Sequence, residues 1–245
     1  MIEIKVNNQG QSTGCLICGE DIIKLVKPEE MTCLFCGDIF QAESYCTHMH
    51  YVCNECHDSS PFDIVAKMCL KYQGINPIEL AVEIMNTSAI RMHGPEHHFI
   101  VPAVLLTCTH NLMGKPENLI EKLQSALEMA KDTLPNCSFN IGVCGASMGT
   151  GIFLNIFTEQ DPNSEDEWSL ANTIIAESLK KVAESGGPRC CKRDTYLSIE
   201  QSVEFLRDKF AIELPVSEAK CTFSLRNNGC GREECSFYNL GWSLV

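Results

Sequence analysis

Two copies of Cys-x-x-Cys-Gly stand early in the chain, Cys15–Gly19 and Cys33–Gly37, with fourteen residues between the cysteine pairs. Two thiolates three residues apart can share one tetrahedral ion, and the glycine after each pair relieves the tight turn. The stretch CTHMHYVCNECH then supplies Cys46, His48, His50, Cys53, Cys56 and His57. A third CxxC with an upstream cysteine and histidine completes eight ligands. Two structural zinc ions are therefore expected, on Cys15, Cys18, Cys33, Cys36, Cys46, His50, Cys53 and Cys56. Sequential and interleaved pairing of the two sets satisfy this count equally. Redox dithiols or an iron centre are the competing chemistry. His48 and His57 read as surface or supporting histidines.

A second group of thiols lies far downstream. In SGGPRCCKRDT, Cys190 and Cys191 are adjacent. A disulfide between them is disfavoured, because neighbouring Cα atoms sit about 3.8 Å apart, below the roughly 4.4–6.8 Å of a relaxed bridge. Metal ligand, reactive thiol and small buried side chain remain. Cys144 sits among Gly142, Gly145, Gly149 and Gly151. Those glycines permit close backbone approach or tight helix packing; the pattern has no preceding strand and no Walker lysine, which argues against a nucleotide loop. The tail CTFSLRNNGCGREEC carries Cys221, Cys230 and Cys235 around a turn-rich Asn-Asn-Gly and can close a further metal site. Cys69, Cys108 and Cys137 stand in apolar helical contexts and read as core.

In HGPEHHF, His93-x-x-Glu96-His97 formally matches a zinc-peptidase signature, but Gly94-Pro95 breaks the single helix face that chemistry needs. His93, Glu96 and His97 fit better as acid/base groups of a pocket, with capping and core hydrogen bonding as the plainer reading. Arg91 and Arg193 can fork onto a substrate carboxylate or pair with the abundant acids.

These residues must be positioned by something. The chain has 245 residues, enough for one substantial core plus a small module, and a net charge of −13 with a pI near 4.9. Such acidity argues against a nucleic-acid surface. No run of about 18 apolar residues occurs, so no membrane span is expected. The first residues lack a basic stretch followed by an apolar one; with the CxxC spacings this points to a reduced cytoplasm rather than secretion. Cysteine so plentiful suits an anaerobe.

The first sixty residues hold seven cysteines and three histidines with few apolar runs, and so need metal to fold. From Pro61 onward apolar residues recur at helical spacing, in segments beginning near Pro61, Pro77, Pro95 and Pro116, where a first helical turn tolerates proline. SEDEWSLANTIIAESLKKVAES is acidic at its start and basic near its end, as the helix dipole favours, and Gly186-Gly187-Pro188 stops it. A last helix is expected from Thr195. The fold class is therefore mainly α: a zinc-ribbon-like module over 1–60, an all-helical domain over 61–213 and a cysteine-rich tail over 214–245.

Three stretches of the helical part resemble, in order, motifs of the iron–sulfur domain of bacterial L-serine dehydratases and L-cysteine desulfidases. They are Ile100-Val101-Pro102-Ala103-Val104-Leu105, Val143-Cys144-Gly145-Ala146-Ser147-Met148-Gly149 and Cys190-x-x-Arg193-Asp194. The resemblance covers roughly residues 85 to 210. It implies a [4Fe–4S] cluster ligated by Cys144 and Cys190, completed by Cys191 or a tail cysteine. The family's third cysteine has no counterpart near Lys180, and its Gln-[Ala/Gly]-Glu is Gly145-Ala146-Ser147 here. The whole arrangement also resembles an uncharacterised family of methanogens and other anaerobes. The dehydratase resemblance implies lyase, desulfidase or sulfur-transfer chemistry on a small carboxylate or thiol substrate. A zinc-stabilised adaptor docking a partner protein through its N-terminal module is the alternative. A methyltransferase using S-adenosylmethionine is a third reading, without a strand–glycine–helix unit to support it.

Overall fold

The computed structural model describes residues 14–114, 118–132, 142–159 and 165–239. Cys137 and Pro116 lie outside them. The chain divides into two compact units, Met1–Lys71 with Glu83–Ile90, and Tyr72–Val82 with Arg91–Val245. Eight α-helices and one two-stranded sheet occur among the described residues, so the fold is mainly α.

In the first unit the knuckle Cys15–Gly19 leads into β1 (Ile22–Thr32). The second knuckle, Cys33–Gly37, turns the chain into β2 (Ile39–Cys46), antiparallel to β1 from Ile22↔Cys46 to Thr32↔Ile39. Gly19 and Gly37 have φ of 80° and 83°, the left-handed conformation each knuckle needs to close. Each turn is closed by a backbone bond from the glycine to the first cysteine, Gly19 N–H to Cys15 O and Gly37 N–H to Cys33 O. A short helix α1 (Asn54–His57) and α2 (Pro61–Lys71) follow. The apolar cluster here is small, built on Cys33, Phe35, Cys53, Cys56 and Ile64 with Leu16, Met68 and Tyr51 against it.

α3 spans Pro77–Asn86 and begins, like α2, on its proline. The second unit is organised on α4 (Glu96–Met113), which is buried continuously from Glu96 to His110. Around it stand α5 (Leu119–Asp132), α6 (Gly145–Phe157), α7 (Glu165–Glu184) and α8 (Cys191–Phe210). α4 packs on α5, α6 and α8, and α7 packs on α6 and α8.

The glycines of α6 serve helix packing. A β-carbon at Gly149 would stand 2.9 Å from both the His98 carbonyl oxygen and Pro102 Cδ, and one at Gly145 would overlap the His98 ring. Bare backbone at these two positions, one turn apart on α6, lets it lie directly on α4. Cys69 and Cys108 are fully buried, in α2 and α4. The last helix begins at Cys191, four residues before the expected Thr195. Its first turn closes with Asp194 N–H on the Cys190 carbonyl, so the Lys-Arg-Asp that reads as loop in sequence is buried helix.

Candidate metal centres and a thiol-lined cleft

The hairpin decides the pairing that the spacing leaves open. β1 carries the second knuckle a strand's length from the first, and β2 brings Cys46 back opposite Ile22, beside Cys18. The chain then passes Tyr51, whose carbonyl accepts from Leu34 N–H, and delivers Cys53 and Cys56 to the second knuckle. The result is interleaved. Cys15, Cys18, Cys46 and His50 form one set and Cys33, Cys36, Cys53 and Cys56 the other, with the ligand atoms of each all within 4.8 Å of one another. A tetrahedron of bonds of about 2.3 Å places its sulfurs about 3.8 Å apart. Cys18 and Cys46 Sγ are 3.8 Å apart, and His50 Nδ1 lies 3.3 Å from Cys18 Sγ and 3.8 Å from Cys15 Sγ. Both sets thus fit zinc or another thiophilic ion. His48 and His57 belong to neither; His57 lies exposed beside Asp58.

The electrostatics of the sets follow from crowded thiols. Burial pushes Cys18 up to about 12 and Cys36 up to about 11. Burial raises Cys33 too, but the backbone N–H groups of Cys53, Cys36 and Phe35 outweigh it and bring the thiol down to about 7. In the other set the N–H groups of His50 and His48 lower Cys46 against the same burial. In each set one thiol is thus lowered against burial, and a bound dication would remove the penalty on the rest. Lys67 adds a positive charge 3.4 Å from Cys56 Sγ.

In the second unit the adjacent thiols part company. Cys191 and Cys144 line one cleft of about 500 Å³, with His97, His98, Arg189 and Asp194. Cys190 lines a separate enclosed cavity of about 20 Å³ with Cys221, Cys230 and Cys235. The structure thus places Cys144 and Cys191 on one cleft, and Cys190 with the tail cysteines on a separate cavity. Among the described residues, no set of three or more ligand atoms in this unit is as close-packed as the N-terminal sets.

Two helices, α6 and α8, begin at the cleft with Cys144 and Cys190 as their N-caps, so their positive ends face it. The Cys144 thiol donates to Asp194 Oδ2 at 3.6 Å. Burial, and then the Asp194 charge, push Cys144 up to about 12, against the N–H groups of Ser147 and Ala146. Burial also raises Asp194, against its ion pair with Arg193 (Nη2 to Oδ1, 2.9 Å). Arg193 is fixed in turn by the Gly186 carbonyl at 2.6 Å. The Arg189 guanidinium reaches Cys191 Sγ at 3.7 Å.

Of the expected acid/base trio, Glu96 and His97 are held by hydrogen bonds, and His93 Nδ1 is buried with no hydrogen-bond partner among the described residues. Glu96 is fully buried and accepts from the Arg91 backbone N–H (2.8 Å), Nε (3.2 Å) and Nη2 (3.0 Å). His97 Nε2 faces the Arg91 carbonyl at 3.2 Å and Nδ1 faces Thr195 Oγ1 at 3.0 Å. These contacts tie the start of α4 to α8. Burial lowers His93, and charges of Arg189 and Lys192 add to the effect. His98 and Asp194 are cleft residues whose roles are not evident from sequence. In the sequence Asp194 stands out only as the last residue of Cys190-x-x-Arg193-Asp194, with no role attached.

Fold and sites together define a mainly α protein with two cysteine-rich sets compatible with metal binding and a thiol-lined helical unit. The chain belongs to DUF5714, a family of unknown function, whose profile matches residues 65–238. The matched stretch contains Cys144, Cys190, Cys191 and the tail cysteines; the eight N-terminal ligands precede it. No curated protein and no solved structure matches the chain.

Proposed function

We propose that this chain is a zinc-bearing, sulfur-handling enzyme whose helical unit transfers sulfur from a small carboxylate-bearing persulfide. The observation that carries this reading is the Cys144 thiol held on the Asp194 carboxylate in an open cleft with a second thiol, Cys191. Arg189 and the positive ends of α6 and α8 supply the site for a carboxylate. Cys144 and Cys191 are the cysteines among the residues lining this cleft, which favours thiol chemistry there over a cluster needing three thiolates. The reaction runs through the chain's own groups. Asp194 takes the Cys144 proton, and the thiolate attacks the outer sulfur of R–S–SH. The S–S bond breaks, and the departing R–S⁻ recovers the proton from Asp194. Cys144 persulfide and R–SH are the products, with no external oxidant or reductant. The two N-terminal sets hold zinc as structural ions.

The test is to incubate full-length protein, purified without oxygen, with cysteine persulfide labelled in its outer sulfur. Label is expected on the peptide containing Cys144, absent in Cys144→Ser and slowed roughly 10²–10⁴-fold in Asp194→Asn. Equal labelling of wild type and Cys144→Ser sinks the reading. The adaptor reading draws on exposed apolar side chains of the hairpin, with Val26 fully exposed and Ile22 and Ile39 about half so. It gains if no small persulfide or thiol is turned over.

A further inference from the structure

We propose that Arg193 is a positioning residue of the thiol-lined cleft: it holds one oxygen of the Asp194 carboxylate so that the other is presented to Cys144. The chemistry this serves rests on the sulfur-transfer reading, in which Asp194 takes the Cys144 proton. The coupling of Arg193 to Cys144 rests on the contacts themselves.

Arg193 and Asp194 are neighbours near the start of α8. Successive residues of a helix point about 100° apart and do not face each other, so chain position alone does not pair them. A third group makes the pairing. Arg193 Nη1 donates to the Gly186 carbonyl at 2.6 Å, in the loop that enters α8. With that end of the guanidinium fixed on the loop, its other edge meets Asp194: Nε and Nη2 both reach Oδ1, each at 2.9 Å. The loop is fitted closely around this group. A β-carbon at Gly187, where φ is 70°, would stand 3.3 Å from Arg193 Nη1.

The pattern of donors is what assigns the role. An arginine set fork to fork on a carboxylate occupies both oxygens with two parallel bonds. Here both N–H groups converge on Oδ1, and Oδ2 is left to accept from the Cys144 thiol at 3.6 Å. A carboxylate otherwise turns over a broad range about its last torsion, and two bonds on one oxygen remove that freedom. The contacts thus run Gly186, Arg193, Asp194, Cys144, joining the loop, α8 and the N-cap of α6. The Arg193 and Asp194 side chains are only 9% and 7% exposed, so little water competes for these bonds.

Electrostatics point the same way. Burial pushes the Asp194 carboxyl up, and Arg193 supplies the largest opposing effect, ahead of the Cys144 hydrogen bond and the Arg189 charge. Without Arg193 the burial penalty loses its main counterweight, and the carboxyl tends to keep a proton of its own. A protonated acid cannot take the proton of Cys144.

The experiment is a double-mutant cycle on full-length protein purified without oxygen, read as the rate at which outer-sulfur label from cysteine persulfide reaches Cys144. Arg193→Gln should slow that rate by about 10–100-fold, as loss of a buried charged hydrogen bond implies. Arg193→Lys keeps the charge and loses the two-pronged hold on Oδ1, so its rate should fall between Arg193→Gln and wild type. In an Asp194→Asn background both replacements should change the rate by less than about twofold, because Arg193 acts through Asp194. Equal slowing in the two backgrounds would show that Arg193 only supports packing, and overturns the proposal. An unchanged rate in Arg193→Gln does so as well. Should Arg193→Gln fail to fold, Arg193→Lys carries the cycle alone, since it leaves a cation beside the buried carboxylate. Absence of label from wild type sinks the sulfur-transfer reading instead. The same cycle read by alkylation of Cys144 with iodoacetamide then decides Arg193: an effect of its replacement that persists in Asp194→Asn overturns the coupling, and one that vanishes there upholds it.

Discussion

The N-terminal unit and the helical unit use cysteine in opposite ways. In the first, eight ligands from 42 consecutive residues, Cys15 to Cys56, collapse into two sets each within 4.8 Å. In the second, six cysteines from Cys144 to Cys235 are distributed over a cleft and a cavity, and partners lie about 50 positions apart. The first geometry is written in local turns and one hairpin register. The second exists only once α4, α6 and α8 have packed. Metal should therefore dominate the stability of one unit, and helix packing that of the other.

The largest effect that can break this contrast is removal of the zinc proposed for the N-terminal sets. The apolar cluster of the first unit consists mainly of the ligand cysteines with Phe35 and Ile64, too little to fold without metal. Structural zinc contributes about 10–16 kcal/mol of binding free energy near neutral pH. Cys33→Ser and Cys18→Ser should each lose one zinc, not two, because the sets share no ligand. Strong chelation should expose residues 14–71 to protease while α4 to α8 stay resistant. Retention of both zincs in Cys33→Ser would remove it as a ligand; loss of both ions together would show that the hairpin couples the sets.

A smaller effect tests the other half. Gly149→Ala places a methyl 2.9 Å from the His98 carbonyl and Pro102 Cδ and 3.2 Å from Val101 Cβ. Overpacking of this kind costs about 1–3 kcal/mol, partly offset by the roughly 1 kcal/mol that alanine gains over glycine in a helix. A net loss of up to about 2 kcal/mol in the helical unit is expected in denaturant unfolding, with metal content unchanged. A neutral or stabilising result would mean that α6 does not depend on bare backbone at its crossing with α4.

The same contrast explains what could be read from sequence. All eight residues of the two N-terminal sets, and the choice of His50 over His48 and His57, were legible because CxxC-Gly is a local geometry. Their interleaving was not, since only the register Ile22↔Cys46 decides it. The helices were legible from apolar periodicity and from prolines 61, 77 and 95. The start of α8 was missed because Lys192, Arg193 and Asp194 look solvent-seeking, yet all three are buried by tertiary contacts. The adjacent thiols could not be assigned for a related reason. Cys190 is the N-cap and Cys191 the first helical residue, and only the helix start sends their side chains to different cavities. Glu96 and His97 look catalytic by type; in the fold Glu96 pairs with Arg91 and His97 bonds to Thr195, partners that the sequence does not reveal.

The smallest effect is a matter of protons and separates the units once more. His97 is fully buried, and burial, then the charge of Lys192, lower its pKa well below 6.5 despite the Arg91 carbonyl. Nε2 can only donate to that carbonyl, so in the neutral ring Nδ1 accepts from the Thr195 hydroxyl. The same hydroxyl lies 2.8 Å from the Cys191 carbonyl, which competes for its proton. A histidine with a depressed folded pKa adds stability that is fully present above the unfolded value and is lost as pH falls below it. The helical unit should therefore weaken below pH 6.5, by at most about 1.4 kcal/mol per pH unit from this residue. His97→Gln keeps a donor for the Arg91 carbonyl and does not titrate, so its stability should fall less steeply between pH 6.5 and about 5. Proton competition for the thiolates of the N-terminal sets would weaken the first unit in both proteins alike and cancel in the difference. Identical slopes would mean that His97 carries its proton in the folded state, with Nδ1 donating to Thr195 and the hydroxyl free to hold Cys191.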